Sequence, residues 1–329
     1  MSAARISPPF FLGIDLGGTN IKSGVVDDEG RVLSSISLKT EADKGPEVGL
    51  DNLVAAGNQA VELSGLDWER IGSVGLGSPG TMDIEAGMLL EPPNLPGWDN
   101  LPIRQLLSGR LEKPVILQND GNAAAYGEYW VGAGKNTHSL VMFTLGTGVG
   151  GGIVIGGTIL QGRHSHGGEC GHIIIEAENG RLCSCGGYGH LEGYASATAL
   201  VQRAIEALQA DADPSLLRSI KPDNLSSRAI SEAAQAGDVL ARRLMRETAH
   251  YLAVGAVNVM HTIDPDIVVF GGGMIAAGLS FLEDIRGGIR AMAFPVPAAR
   301  TRVEYALLGG DAGFIGAAGW ARSESNRPS

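Results

Sequence analysis

Two stretches of this chain share one pattern. Leu12-Gly-Ile-Asp-Leu-Gly-Gly-Thr-Asn20 and Phe143-Thr-Leu-Gly-Thr-Gly-Val-Gly-Gly-Gly152 are each an apolar run that breaks into glycines around a threonine. Apolar alternation then resumes, over Ile21–Val26 in one and Ile153–Ile155 in the other, which reads as strand, tight turn, strand. Glycine lets such a turn take positive φ and brings N–H donors close to an anion, and the threonine hydroxyl adds a donor. The duplication implies two similar α/β halves with a cleft between them, each presenting a phosphate-sized turn to one nucleotide. Gly146, Gly148 and Gly151 also satisfy the dinucleotide pattern G-x-G-x-x-G, which carries weight only when a helix follows. Gly152-Ile-Val-Ile-Gly-Gly157 alternates and turns like a hairpin. Glu169 downstream does not restore a Rossmann reading, because no βαβ unit lies between.

Glycine accounts for 49 of 329 residues, about twice the usual share of roughly 7%, and clusters between apolar runs as ligand-cradling turns do. The formal net charge of −11 argues against a broad nucleic-acid surface or an anionic membrane partner. Met1–Pro9 lacks the apolar core of a signal peptide and no run approaches a membrane span, so the expected location is cytoplasmic. The length suits two domains. Residues 1–121 read as a smaller N-terminal α/β domain completed by a C-terminal helix at about 309–322. Residues 122–308 read as a larger α/β domain, with single helices over 194–209 and 226–260, and 323–329 as a mobile tail.

Asp15 lies among apolar neighbours in the first turn, where a carboxylate is costly unless it meets a cation. It faces Mg²⁺, through water, or caps backbone N–H groups. Asn119-Asp120-Gly121-Asn122 stands between a strand ending at Gln118 and a helix starting near Ala123. Asp120 or Asn122 there is the helix cap, or the Asp120 carboxylate, at a strand's C-terminal end, is a general base for phosphoryl transfer. Cys170, Cys183 and Cys185 are too few and too close for a disulfide framework. His172, Cys183, Cys185 and His190 suit a tetrahedral structural Zn²⁺ site, with Cys170 as a substitute ligand. Gly271, Gly272 and Gly273 let a nucleoside lie against bare backbone. Asn94 and Trp98 belong to a rigid loop that faces a substrate or packs.

Together these motifs resemble the ROK family of sugar kinases, from about Phe11 to Trp320. The resemblance implies a two-domain actin-like, ribonuclease H-like ATPase fold of hexokinase type, with an interdomain cleft and a zinc-binding loop. Asp15-Leu-Gly-Gly-Thr-Asn20 is similar to the family's first phosphate loop, with Gly17, Gly18, Thr19, Asn20 and nearby Lys22 as nucleotide contacts. Leu145-Gly-Thr-Gly-Val-Gly-Gly151 is similar to the second, with Thr144, Gly146, Thr147 and Gly148, and Gly271–Gly273 to the adenosine loop. Asn119 and Asp120 match the sugar-binding Asn and the catalytic base. Gly168-Glu-Cys-Gly-His172 matches the family signature, in which Glu169 holds sugar hydroxyls and His172 bridges sugar and zinc. Glu192 matches another sugar ligand, and Gly80 lies in the loop lining the sugar site. The usual zinc motif Cys-x-Cys-Gly-x-x-Gly-Cys-x-Glu departs here, with His190 replacing the last cysteine.

Asn94-Leu-Pro-Gly-Trp98 and Ser78-Pro-Gly80 are similar to the family's glucokinases, and Thr81 stands where N-acetylmannosamine kinases often carry a basic residue. The resemblance implies ATP-dependent phosphorylation of D-glucose with Mg²⁺. Other hexoses (N-acetylmannosamine, N-acetylglucosamine, fructose), polyphosphate as donor, or a non-catalytic sugar-sensing regulator are the alternatives. Regulators of this family add a DNA-binding domain, for which the segment before Leu12 is short. A homodimer or homotetramer is the family habit.

Overall fold

A computed structural model describes residues 8–210 and 213–325. The chain starts as a meander of β1 (Phe10–Leu16), β2 (Asn20–Asp27) and β3 (Val32–Lys39), with Asp15 opposite Lys22 and Ile21 opposite Leu38. Helix α1 (Pro46–Ser64) opens on proline and closes at Gly65, whose φ of 71° is left-handed. That is the asymmetry expected of helix ends. Its apolar stripe of Leu50, Leu53, Ala56 and Ala60 is buried in the same core as Leu12, Ile14, Val25 and Leu76.

Next come β4 (Ile71–Ser78), a short hairpin of β5 (Thr81–Asp83) and β6 (Met88–Glu91), α2 (Ile103–Leu111), β7 (Val115–Asn119) and α3 (Asp120–Val131). The first sheet runs β3-β2-β1-β4-β7, with β4 parallel to both β1 and β7. The β5–β6 hairpin was not anticipated, since three or four residues are too few for alternation to show.

The elements that follow are β8 (Ser139–Leu145), β9 (Val149–Ile155), β10 (Thr158–Ile159), α4 (Glu192–Ala195) and α5 (Ala197–Ala210). Helices α6 (Ser227–Gln235) and α7 (Val239–Ile263) precede β11 (Ile267–Gly271), α8 (Leu279–Met292), α9 (Pro295–Arg300) and β12 (Arg302–Tyr305). The second sheet, β10-β9-β8-β11-β12, with β11 parallel to β8 and β12, repeats the strand order of the first. The Gly-rich turn after β8 leads into a strand, so the Rossmann pattern fails where expected. The single helix expected over 226–260 is two, because Gly237 takes φ 98° and Asp238 then caps a new helix by accepting from the Ala241 N–H at 2.8 Å.

The last helix, α10 (Ala312–Ser325), packs against β1, β4 and α3 at backbone contact distance. A Cβ on Gly13 would collide with the Phe314 carbonyl, one on Gly75 with that of Ala317, and one on Gly316 with that of Ala123. The chain forms two compact units: one holds the described residues up to Asn136, with Gly152–Gly168 and the stretch from Leu307 onward; the other holds Thr137–Gly151 and Glu169–Ala306. The division expected at 121/122 therefore misplaces α3, which stays with the first unit because it packs on α10. The expected mobile tail is helical through Ser325, whose hydroxyl bonds Ser73 Oγ at 3.1 Å; residues 326–329 lie outside the described residues.

One buried carboxylate ties α3 to the segment leading into α10. Glu128, with no exposed surface, accepts from the Ala133 N–H at 2.8 Å, Leu307 N–H at 3.1 Å and Leu308 N–H at 2.7 Å. Glu128→Gln preserves shape but turns one acceptor into a donor facing an N–H, an expected loss of about 2–3 kcal/mol. Urea unfolding measures it, and a midpoint equal to that of the unmodified chain would show that the three bonds contribute nothing net.

Candidate active site

In the first unit the parallel register sets Asp15 beside Gly77, and Gly77 beside Gln118. Asp15 and the β7–α3 corner therefore emerge at the same C-terminal edge of the sheet, where open α/β sheets bind ligands. Asp15 keeps part of its surface open, yet its carboxyl is packed so closely on Gly313 that a Cβ there would strike it. Burial, helped by the charge of Asp120 and opposed by Lys22, pushes the Asp15 carboxyl up to about 7. A carboxyl raised in this way beside a second carboxylate marks a place where a divalent cation would relieve the charge.

Asn119 is the cap of α3, its Oδ1 accepting from the Asn122 N–H at 3.1 Å. The helix accordingly starts at Asp120 rather than near Ala123, and neither Asp120 nor Asn122 is needed as the cap. Asp120 holds the first helical position, with Oδ1 accepting from the Gly121 N–H at 2.8 Å. Behind it, buried Gln118 accepts from the Asn119 N–H at 2.8 Å and donates to Gln161 Oε1 at 3.2 Å, which fixes the corner. Sequence reading missed Gln118, whose position next to the Asn-Asp pair is its only signal.

The first turn is closed by the Gly17 N–H donating to Asn20 O at 3.0 Å and by the Thr40 hydroxyl donating to Gly17 O at 2.6 Å. Thr19 and Asn20 are exposed. Asn94, also exposed, lies on Gly18 with no room for a Cβ between them, whereas Trp98 is fully buried against Gly49. Lys22 reaches Gly310 O at 2.8 Å and Asp311 at 3.2 Å. Gly80 has φ 89° and backs onto Pro92. The expectation of positive φ in the phosphate turns fails: Gly17, Gly18, Gly146 and Gly148 all avoid the left-handed region. Close approach is the reason for glycine at Gly18 and Gly148, where a Cβ would meet Asn94 and the Glu192 carboxylate.

In the second unit the turn after β8 is anchored by the start of α5, through Ala197 N–H to Gly146 O at 2.9 Å and the Thr198 hydroxyl to Thr147 O at 2.8 Å. Thr147 points outward, and Thr144 Oγ1 fills the space a Gly150 Cβ would take. Thr144 pairs with Gly271 across the β8–β11 ladder, and Gly272, with φ 87°, rests on the Leu145 backbone. The second phosphate turn and the triple-glycine turn are thereby neighbours. Beside Gly273 opens a cavity of about 470 Å³ with Leu200, Met245 and Met274 on its walls and Ser231 and Glu232 of α6 on its edge. That volume is in the range of small-molecule sites and suits a purine nucleoside. The part of α6 in this cavity escaped the sequence reading; Ser227, Ser231 and Gln235, four apart on one helix face, were the available signal.

Glu192 is buried and accepts from the Val149 N–H at 2.9 Å, from the Ser184 hydroxyl and from Cys183 Sγ at 3.3 Å. Burial pushes its carboxyl up, but the bonds from Ser184, Val149 and Cys183 outweigh that and hold it below the ordinary value. His172, Cys183, Cys185 and His190 bring their ligand atoms within 4.8 Å of one another. Cys183 Sγ lies 3.7 Å from His172 Nδ1, and Cys185 Sγ 3.2 Å from His190 Nδ1. Two thiols and two imidazoles at that spacing fit Zn²⁺, whose bonds run about 2.0–2.3 Å, and His190 takes the place of the missing cysteine. His172 Nε2 stands 4.0 Å from Glu169 Oε2, beyond direct hydrogen-bond distance. Cys170 lies outside the cluster, so the substitute ligand is withdrawn; burial, then the Glu169 charge, push its thiol up to about 12.

The model of the ROK family matches residues 11–324. The glucokinase of Thermotoga maritima is 36% identical over 309 residues, covering 93% of this chain and 95% of its own. A ROK family glucokinase from Streptomyces griseus, solved in complex with glucose and AMPPNP, superposes with a TM-score of 0.80 at 37% identity, covering 95% of this chain and 99% of its own. The ROK hexokinase from Thermus thermophilus gives 0.83 at 35% identity, over 96% and 99%. No helix among the described residues is long and apolar enough to cross a membrane. With a duplicated sheet, glycine-rich turns at corresponding places in both copies and a match over nearly its full length, the chain belongs to the ROK family and has its hexokinase-type fold.

Proposed function

We propose that this chain transfers the γ-phosphoryl group of ATP to D-glucose, with Asp120 as general base. The observation that carries this is the β7–α3 corner, where Asn119 caps the helix and leaves the Asp120 carboxylate at the strand ends, near enough to Asp15 to raise it. As the sugar hydroxyl attacks the γ-phosphorus, its proton passes to Asp120, the bond to the β-phosphate oxygen breaks and ADP leaves. The Thr19 and Thr147 hydroxyls and the turn N–H groups offset phosphate charge. Mg²⁺, which Asp15 would hold through water, supplies further neutralisation when bound. Asn94 and Asn119, with Gly80, are the sugar ligands of the first unit and Glu169, His172 and Glu192 those of the second, while Gly271–Gly273 and the adjoining cavity take the adenosine.

Glucose is favoured because similar proteins of known name are glucokinases, one of them solved with glucose and AMPPNP. A coupled assay across glucose, mannose, fructose, N-acetylmannosamine and N-acetylglucosamine, with ATP and polyphosphate as donors, tests it. Glucose with ATP should give the highest kcat/KM by about tenfold, a margin within reach of one hydrogen-bonded hydroxyl; equal turnover of an N-acetylated hexosamine would overturn the choice.

We further propose that the Cys/His cluster holds a structural zinc. Elemental analysis should give close to one zinc per chain, and His190→Ala should lower retention on dialysis by about tenfold or more. Protein purified without chelator and free of zinc would refute this assignment.

A further inference from the structure

Among the described residues, Glu192 is the carboxylate that touches both the Cys/His loop and the second phosphate turn. One oxygen, Oε2, accepts from the Val149 N–H at 2.9 Å, at the start of the strand leaving that turn. The other, Oε1, accepts from the Ser184 hydroxyl and from Cys183 Sγ at 3.3 Å, both on the loop. Gly148 is packed so tightly against Oε2 that a Cβ there would displace the carboxylate. The turn has little freedom to move while Glu192 stays put. The Ser184 hydroxyl is the oxygen donor of the loop to Oε1.

We infer that Ser184 and Glu192 couple the Cys/His loop to the second phosphate turn, so that the loop sets nucleotide affinity as well as sugar binding. Ser184 is a positioning residue: it acts through Glu192 on Val149 and touches no substrate. This rests on the kinase reading for its consequence, not for the coupling itself. Ser184 is exposed, so its replacement disturbs no core.

Two measurements on the full chain test it. Hydrogen exchange at the Val149 amide should quicken about tenfold in Ser184→Ala, the scale of one lost bond to a charged group, with zinc content unchanged. Ser184→Thr should restore slow exchange. Titration with Mg²⁺·AMPPNP should show about tenfold weaker binding to Ser184→Ala. Unchanged Val149 exchange overturns the coupling, and so does loss of zinc from Ser184→Ala, which would make the serine a support of the metal loop alone. Faster exchange with unchanged AMPPNP affinity overturns its functional consequence. An unmodified chain that binds no AMPPNP overturns the kinase reading and that consequence, leaving the exchange result to decide the coupling.

Discussion

Asp120→Asn should lower kcat by about 10²–10⁴ while glucose KM changes little, the scale of a lost general base. The amide retains an oxygen to accept the Gly121 N–H that Asp120 Oδ1 now holds at 2.8 Å, and Asn119 still caps α3, so the fold at the corner is kept. What is lost is the ability to take a proton from the attacking hydroxyl. Steady-state kinetics over pH 6–9 separates the possibilities: a variant turning over within about threefold of the unmodified enzyme would leave Asp120 without a catalytic part. Removing its charge also removes one of the causes that hold Asp15 high, so the pH response of the variant should shift as well.

Asp15→Asn should change stability in a pH-dependent way. The Asp15 carboxyl is at about 7 in the fold against 3.8 ordinarily, chiefly through burial and then through Asp120. A raised folded value means that the native state holds a proton the unfolded chain has released. The associated stabilisation is complete below about pH 4 and is lost as pH rises through 7, a span worth about 4 kcal/mol at most. Asn cannot ionise and escapes that loss. Relative to the unmodified chain, Asp15→Asn should gain Tm at pH 8, with the gain disappearing toward pH 4, in buffer lacking nucleotide and divalent cation. Adding Mg²⁺·AMPPNP should then raise the Tm of the unmodified chain at pH 8 and do less for the variant. A Tm difference flat from pH 5 to pH 8 would mean that Asp15 does not titrate there. Turnover by Asp15→Asn should fall, since the amide lacks the negative charge that would hold Mg²⁺ beside the phosphates.

Much of this was legible because it is local. The two glycine-rich turns, α1 from Pro46 to its stop at Gly65, α8 over Leu279–Met292 and the strand after Gly152 all follow from periodicity and end signals within a few residues. The four candidate metal ligands also met, because a C-x-C with two flanking histidines keeps them close in sequence. Readings that depended on distant partners did worse. Glycine was read at the phosphate turns as a left-handed residue, when Gly18 and Gly148 are instead pressed by Asn94 and Glu192 from elsewhere in the chain. Cys170 was named as a ligand because it is near in sequence, yet burial carried it away from the cluster. Glu128, Gln118 and Ser184 owe their parts to neighbours brought together only by folding, which no spacing announces. Gly237 before Asp238 was a readable helix stop and start, overlooked because apolar periodicity continued across it.

The helix at residues 312–325 has a consequence for biosynthesis. The sheet built from residues 10–78 presents Gly13 and Gly75 to carbonyls of Phe314 and Ala317, which are synthesised long after it. That face of the sheet must therefore wait uncovered during synthesis until residues 312–325 have been made. Termination before residue 312 would leave that face open to chaperones and proteases.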